Sequence, residues 1–96
     1  MPDEVVNDAA HHRYEVLHDG AVAGFVDYRF AGDNRIVMTH TEVDERFEGH
    51  GIGSELAKGA LDDARAHGWQ VVPRCPFIAE YIQHHPEYAD LVRSAT

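Results

Sequence analysis

The chain has 96 residues, enough for one small domain with a modest core and too few for a second. Its 8 basic and 17 acidic residues give a formal charge of −9, which argues against a nucleic-acid surface, where clustered Lys and Arg are needed. No run approaches the ~18 apolar residues of a membrane span, the single cysteine, Cys75, permits no internal disulfide, and the acidic start Met1-Pro2-Asp3-Glu4 lacks a signal peptide's basic and apolar regions, so the expectation is a soluble cytoplasmic protein.

Residues 1–12 are polar and without periodicity, and read as a loose N-terminal arm ahead of a single domain over 13–96. Arg13 to His18 alternate, with Tyr14 and Val16 on one face and Glu15 and Leu17 on the other. Asp19-Gly20 is a two-residue hairpin signal. A second strand runs from about Ala21 to Phe30, with Val22, Val26, Tyr28 and Phe30 on one face. Gly24 lies on that face too, and marks a bulge or the close approach of another backbone. Ala31-Gly32-Asp33-Asn34 is a turn, and Arg35 to Val43, rich in β-branched residues, is a third strand. These strands predict an antiparallel meander.

Arg46-Phe47-Glu48-Gly49-His50-Gly51-Ile52-Gly53 then places an arginine and three glycines in front of the strongest helical pattern in the chain. Apolar positions 52, 56, 57, 60, 61 and 64 form one stripe of a helix over about Gly51–His67, which Gly68 ends at C′. Trp69 to Pro73 is a short apolar strand. Strand, loop, helix and strand make a β-α-β unit whose strands lie parallel across a right-handed crossover. Pro76 suits the first turn of another helix, with Phe77, Ile78, Tyr81, Ile82 and His85 giving it a face. Pro86 breaks it and opens a short terminal helix with Tyr88, Leu91 and Val92 buried.

A glycine-rich loop opening a helix is a candidate anion site, because the first helical amides lack internal partners and sit at the positive end of the dipole. A Walker-type loop fails here, since no lysine appears until Lys58. The dinucleotide fingerprint fits at Gly49 and Gly51, but its third glycine falls on Ser54. The acidic residue expected after it is missing as well. Arg46-x-x-Gly49-x-Gly51 remains, either as a pyrophosphate loop or as a glycine-rich turn into an ordinary helix.

That string resembles the coenzyme A pyrophosphate loop of the GNAT acetyltransferases, Gln/Arg-x-x-Gly-x-Gly/Ala. The element order is also similar to the GNAT core, an α+β fold with a mixed sheet. Thr39-His40-Thr41-Glu42-Val43 ahead of the loop, and the string from Pro73-Arg74-Cys75-Pro76 to Leu91-Val92 behind it, resemble the minimal single-domain branch of this superfamily, which lacks the usual N-terminal helices. The resemblance spans about residues 13–93. It implies an acetyl-coenzyme A-dependent N-acetyltransferase acting on a primary amine. The backbone of Thr41, Glu42 and Val43 would then pair with the pantetheine arm. Arg46, Glu48, Gly49, His50, Gly51, Ile52, Gly53 and Ser54 would hold the pyrophosphate, largely through loop amides. Many family members carry an asparagine against the pantetheine on the helix after the splayed strand. None occurs between Cys75 and Val92.

Acetyl transfer needs a neutral amine and a proton for the leaving thiolate, and general acid–base groups typically contribute ~10²- to 10⁴-fold. Cys75 precedes Pro76 at an expected helix N-terminus beside Arg74, a setting that favours a thiolate nucleophile; an inert buried thiol is the alternative. Glu42, or His40 two residues earlier on the same face, is a candidate base. Tyr81 matches the tyrosine with which many GNAT enzymes protonate the departing thiolate, or else packs in the core stripe. Eight histidines are scattered along the chain without the short regular spacings of a zinc site, so no metal is expected. The acidic balance leaves room for a cationic amine or basic peptide as acceptor. The expected state is a monomer or weak dimer. The rival reading is an acyl-coenzyme A-binding or protein-interaction domain of the same fold with little turnover.

Overall fold

The computed structural model describes residues 3–47, 49 and 51–92. Alternation of apolar and polar side chains builds β2 (Arg13–His18), β3 (Ala21–Phe30) and β4 (Arg35–Val43). They pair antiparallel, with Asp19-Gly20 turning β2 into β3. Asp19 and Gly20 both take positive φ, 50° and 83°, as that hairpin chemistry requires.

The N-terminal segment corrects the expectation of a loose arm. Glu4–Asp8 form β1, an edge strand paired antiparallel with β2 from Glu4↔Leu17 to Asp8↔Arg13. A short 3-10 turn, Ala9–His11, links the two. The meander therefore has four strands rather than three. Two devices hold β1: Val5 packs onto Gly59 in the middle of α1, and Tyr28 donates its hydroxyl to Asn7 Oδ1 at 2.6 Å.

α1 (Ile52–His67) follows β4, and its stripe of Ile52, Leu56, Ala57, Ala60, Leu61 and Ala64 is buried against the sheet. Gly68 closes it in the left-handed conformation at φ 73°. β5 (Gln70–Pro73) lies parallel to β4, from Arg35↔Gln70 to Met38↔Pro73, so the sheet order is β1-β2-β3-β4-β5. α2 (Pro76–His84) buries Ile78 and Ile82. Pro86–Leu91 form a 3-10 turn, with Tyr88 and Leu91 buried and Val92 half-buried. One cluster joins these residues with Tyr14, Val16, Val26, Ile36, Met38 and Val71.

Two bulges re-aim side chains in ways a strict alternation does not anticipate. The register shift between Val16 and Leu17 buries Ala23 and leaves Val22 43% exposed, off the face expected for it. At Gly24 a Cβ would stand 2.8 Å from the carbonyl oxygen of Glu42, so only glycine admits that backbone approach. The second bulge pairs Asp27 with His40 but Tyr28 with Met38, leaving Thr39 as the extra residue of β4. Before it, Ile36 and Met38 point into the core. After it, Thr41 lies opposite the core residue Val26, while His40 and Glu42 lie opposite Asp27 and Phe25.

Candidate functional site

The glycine loop and the end of β4 meet at a cavity of about 380 Å³. Val43, Phe47, the loop glycines, Ile52, Ser54 and Phe77 of α2 line it. Gly49 and Gly51 hold φ at 86° and 72°, a region that L side chains enter at a cost of ~1–2 kcal/mol. Those angles let the chain turn from the strand into the helix within a few residues. The helical ladder opens with the hydrogen bond from Glu55 N–H to Gly51 C=O at 3.1 Å. The amides of Ile52, Gly53 and Ser54 therefore precede the helical ladder and have no partner within α1. They stand at the positive end of a 16-residue helix. This arrangement is suited to an extended phosphate ester.

The side chains assigned to this loop differ in what they touch. Ile52 is a core residue, 2% exposed, so only its amide faces a ligand. A Cβ on Gly53 would stand 2.8 Å from the Phe77 ring, so this glycine also serves the contact of α1 with α2. The Arg46 guanidinium turns back onto Asp44, with Nη2 at 2.8 Å from Oδ2 and Nε at 3.2 Å from Oδ1. That pair holds the Asp44 carboxyl below its usual range and raises Arg46. Lys58 pairs with Asp62 at 2.7 Å. Glu48 and His50 lie outside the described residues.

β4 and β5 separate where the site begins. β5 ends at Pro73, and the amides of Arg74 and Cys75 both donate to Met38 C=O at 3.0 Å. Among the described residues, no strand pairs with β4 beyond Met38 on that edge. The backbone of Thr41, Glu42 and Val43 thus offers an unpaired strand edge leading into the loop.

Cys75 caps α2 at the head of this gap, 4% exposed, with its Sγ 2.9 Å from Thr41 Oγ1. Tyr81, nearly two turns further on, is half-buried and stacked on His85 at 3.9 Å between ring centroids. Burial, reinforced by the negative charge of Glu87, raises its phenol above the usual value. It lines a second cavity of about 180 Å³ with Ser54, Phe77, Glu80, the last residue of α2, His84, and its C-cap, His85. Ser54 and Phe77 border both cavities.

His40 and Glu42 come together at 3.1 Å and are mostly exposed. The bulge at Thr39 sets them on the sheet face away from Thr41 and Cys75. The four candidate catalytic residues therefore form two groups on either side of β4. Asp44, which sequence reasoning passed over, sits with Phe47 at the hinge between strand and loop. Asp44's place two residues before the motif arginine was the available signal. Among the described residues no three His, Cys, Asp or Glu side chains cluster as metal ligands.

A mixed sheet whose fourth strand loses its parallel neighbour and runs into a glycine loop capping a long helix is the architecture expected of an acetyltransferase of the GNAT fold. The chain belongs to the GCN5-related N-acetyl-transferase family, whose sequence profile matches residues 13–91. It is similar to Protein NATD1 of Xenopus tropicalis, 33% identical over 74 residues that cover 77% of this chain and 65% of that protein. It is 30% identical to Protein NATD1 of Homo sapiens over 89 residues, covering 88% and 76%. The chain thus spans just under two thirds of the frog protein's length and about three quarters of the human protein's. Among solved structures, a GCN5-like protein from Staphylococcus aureus superposes with a TM-score of 0.72 over 97% of this chain and 90% of that one. At 21% identity that likeness concerns the fold.

Proposed function

We propose that this protein transfers an acetyl group from acetyl-coenzyme A to a primary amine carried by a cationic acceptor, such as a basic peptide. The observation that carries this reading is the continuity of the unpaired β4 edge with the left-handed glycines and free helical amides. A pantetheine arm needs a strand edge to pair with, and a pyrophosphate needs amides that no helix consumes. Both needs are met along one path from Thr41 to Ser54.

The reaction then divides between the two groups of side chains. Glu42, with His40 beside it, accepts the proton of the incoming ammonium from the exposed face. The neutral amine attacks the thioester carbonyl carbon at the gap between β4 and β5. The nitrogen of the tetrahedral intermediate gives up its second proton to solvent, the C–S bond breaks as the intermediate collapses, and the departing thiolate takes a proton from Tyr81, whose phenol lies above its usual value and is reprotonated from solvent. Cys75 faces the same gap through its contact with Thr41. Its burial suits it to shaping the thioester's surroundings rather than to acting as a thiolate nucleophile.

Isothermal titration with acetyl-coenzyme A, followed by thiol release with a panel of lysine peptides and polyamines, tests the proposal. Saturable binding with amine-dependent thiol release is expected. Binding with no release on any amine would favour a cofactor-binding domain, and no binding would overturn the reading.

A further inference from the structure

Asp44 sits between β4 and the loop and makes an unusual set of contacts with the motif's arginine. Its Oδ1 accepts the backbone N–H of Arg46 at 2.9 Å, and both carboxylate oxygens accept from the Arg46 side chain at 2.8 to 3.3 Å. Its own N–H bonds to Ala23 C=O at 2.8 Å, and its C=O accepts from Phe47 N–H at 2.9 Å. The backbone of Asp44 is thus pinned to β3 and to the turn, whereas its carboxylate is engaged with a side chain that is 77% exposed. The same residue lines a separate cavity of about 290 Å³ on the β3–β4 side, with Arg13, Phe25 and Glu42. Arg13 is already paired with Glu15 at 2.9 Å.

Arg46 is the motif's own cation, and Asp44 occupies the Nε–Nη2 edge of its guanidinium, so a phosphate that takes that same edge must displace the carboxylate. We infer that Asp44 is an exchangeable counter-ion, which competes with the cofactor's pyrophosphate for Arg46 and is released towards the β3–β4 cavity when the cofactor binds. Asp44 thereby sets cofactor affinity without touching the cofactor. The inference rests on the pyrophosphate-loop reading.

Asparagine at this position keeps an oxygen for the Arg46 amide and so preserves the turn, while removing the charge that holds the guanidinium. Asp44→Asn should therefore tighten coenzyme A binding about two- to five-fold, the range of one exposed ion pair. The gain should vanish in the Arg46→Gln background, because no guanidinium remains to be contested. A gain that persists in that background would assign the effect to general repulsion between Asp44 and the polyanion and would overturn the exchange. Unchanged or weaker binding in Asp44→Asn, with circular dichroism and thermal midpoint as in wild type, would overturn it too. Adenosine 3′,5′-bisphosphate, which lacks the pyrophosphate, should show no gain in any variant. Failure of wild-type protein to bind coenzyme A would instead refute the loop reading itself.

Discussion

Replacing Gly59 with alanine sets two effects of known size against each other. In the interior of an exposed helix, Gly→Ala stabilises by ~1 kcal/mol. Were residues 1–12 a loose arm, that gain would be realised in full. In the structure a Cβ on Gly59 would stand 2.6 Å from Val5 Cβ and 2.7 and 2.8 Å from its two methyls. No rotamer change moves the Cβ of a β-branched residue, so β1 must retreat from α1. Overpacking of this kind costs ~1–3 kcal/mol, and the balance is a loss of up to ~2 kcal/mol. For a domain of this size each kcal/mol is worth about 4–8 °C in Tm. Thermal unfolding of Gly59→Ala should show a lower midpoint, and hydrogen exchange should report early loss of protection at Val5 and Val6. In a Val5→Gly background the obstruction is gone and the same substitution should stabilise. A Tm raised in the otherwise wild-type protein would refute the docking of β1 on α1.

Other perturbations probe the site. Gly51→Ala places a side chain at φ 72° and should weaken acetyl-coenzyme A binding measurably in a titration; unchanged affinity would mean that the loop geometry does not serve the cofactor. Cys75→Ala should lower turnover while coenzyme A still binds, and wild-type turnover in that variant would mean that the thiol does not shape the thioester's surroundings. Tyr81→Phe should lower kcat by ~10²-fold or more with little change in KM. Because burial raises the Tyr81 phenol above its ordinary value, its proton stays available through neutral pH; kcat unchanged in Tyr81→Phe would remove it as the acid, and an early alkaline decline that disappears in Tyr81→Phe would contradict the upward shift. Burial alone would raise the Asp62 carboxyl, but hydrogen bonds from Lys58 and Tyr88 prevail and lower it. Its contribution is therefore complete above the unfolded value of ~3.9 and is lost as pH falls through the lower folded value. Asp62→Asn should flatten the acid limb of Tm against pH, and an unaltered limb would refute this.

The helix that carries the site is plain in the sequence, because six apolar residues at helical spacing need one buried face, and all six are buried. The parallel β5 follows from it, since a short apolar strand after such a helix has one natural place. The two bulges are not legible in the same way. An extra residue at Thr39 leaves the composition of β4 unchanged, yet it decides which face receives His40 and Glu42. The docking of β1 was obscured because Val5 and Val6 alone are too short for a periodic signal. Its trace was instead Gly59, a helix-weakening residue in the middle of a strong helical stripe. The loop's glycines announced an anion site, but the partner of Arg46 depends on a side-chain choice between Asp44 and any ligand, which spacing does not encode.

Adjacent carboxylates on α1 reach in different directions. Asp63 accepts from Tyr14 of the sheet, and Asp62 from Tyr88 beyond α2, each at 2.6 Å. Arg65 adds bonds to Asp90 and to Glu87 C=O. For anyone engineering the chain, the stretch after His85 is therefore a poor place to trim or to splice. A cut there would strip the buried Tyr88 and Leu91 from the outer side of α1 and leave Asp62 and Arg65 without these grips. The loss would fall on the outer face of the same helix whose first turn faces the loop, so a truncation remote from the loop should be checked for helix stability before it is read as a change in the site.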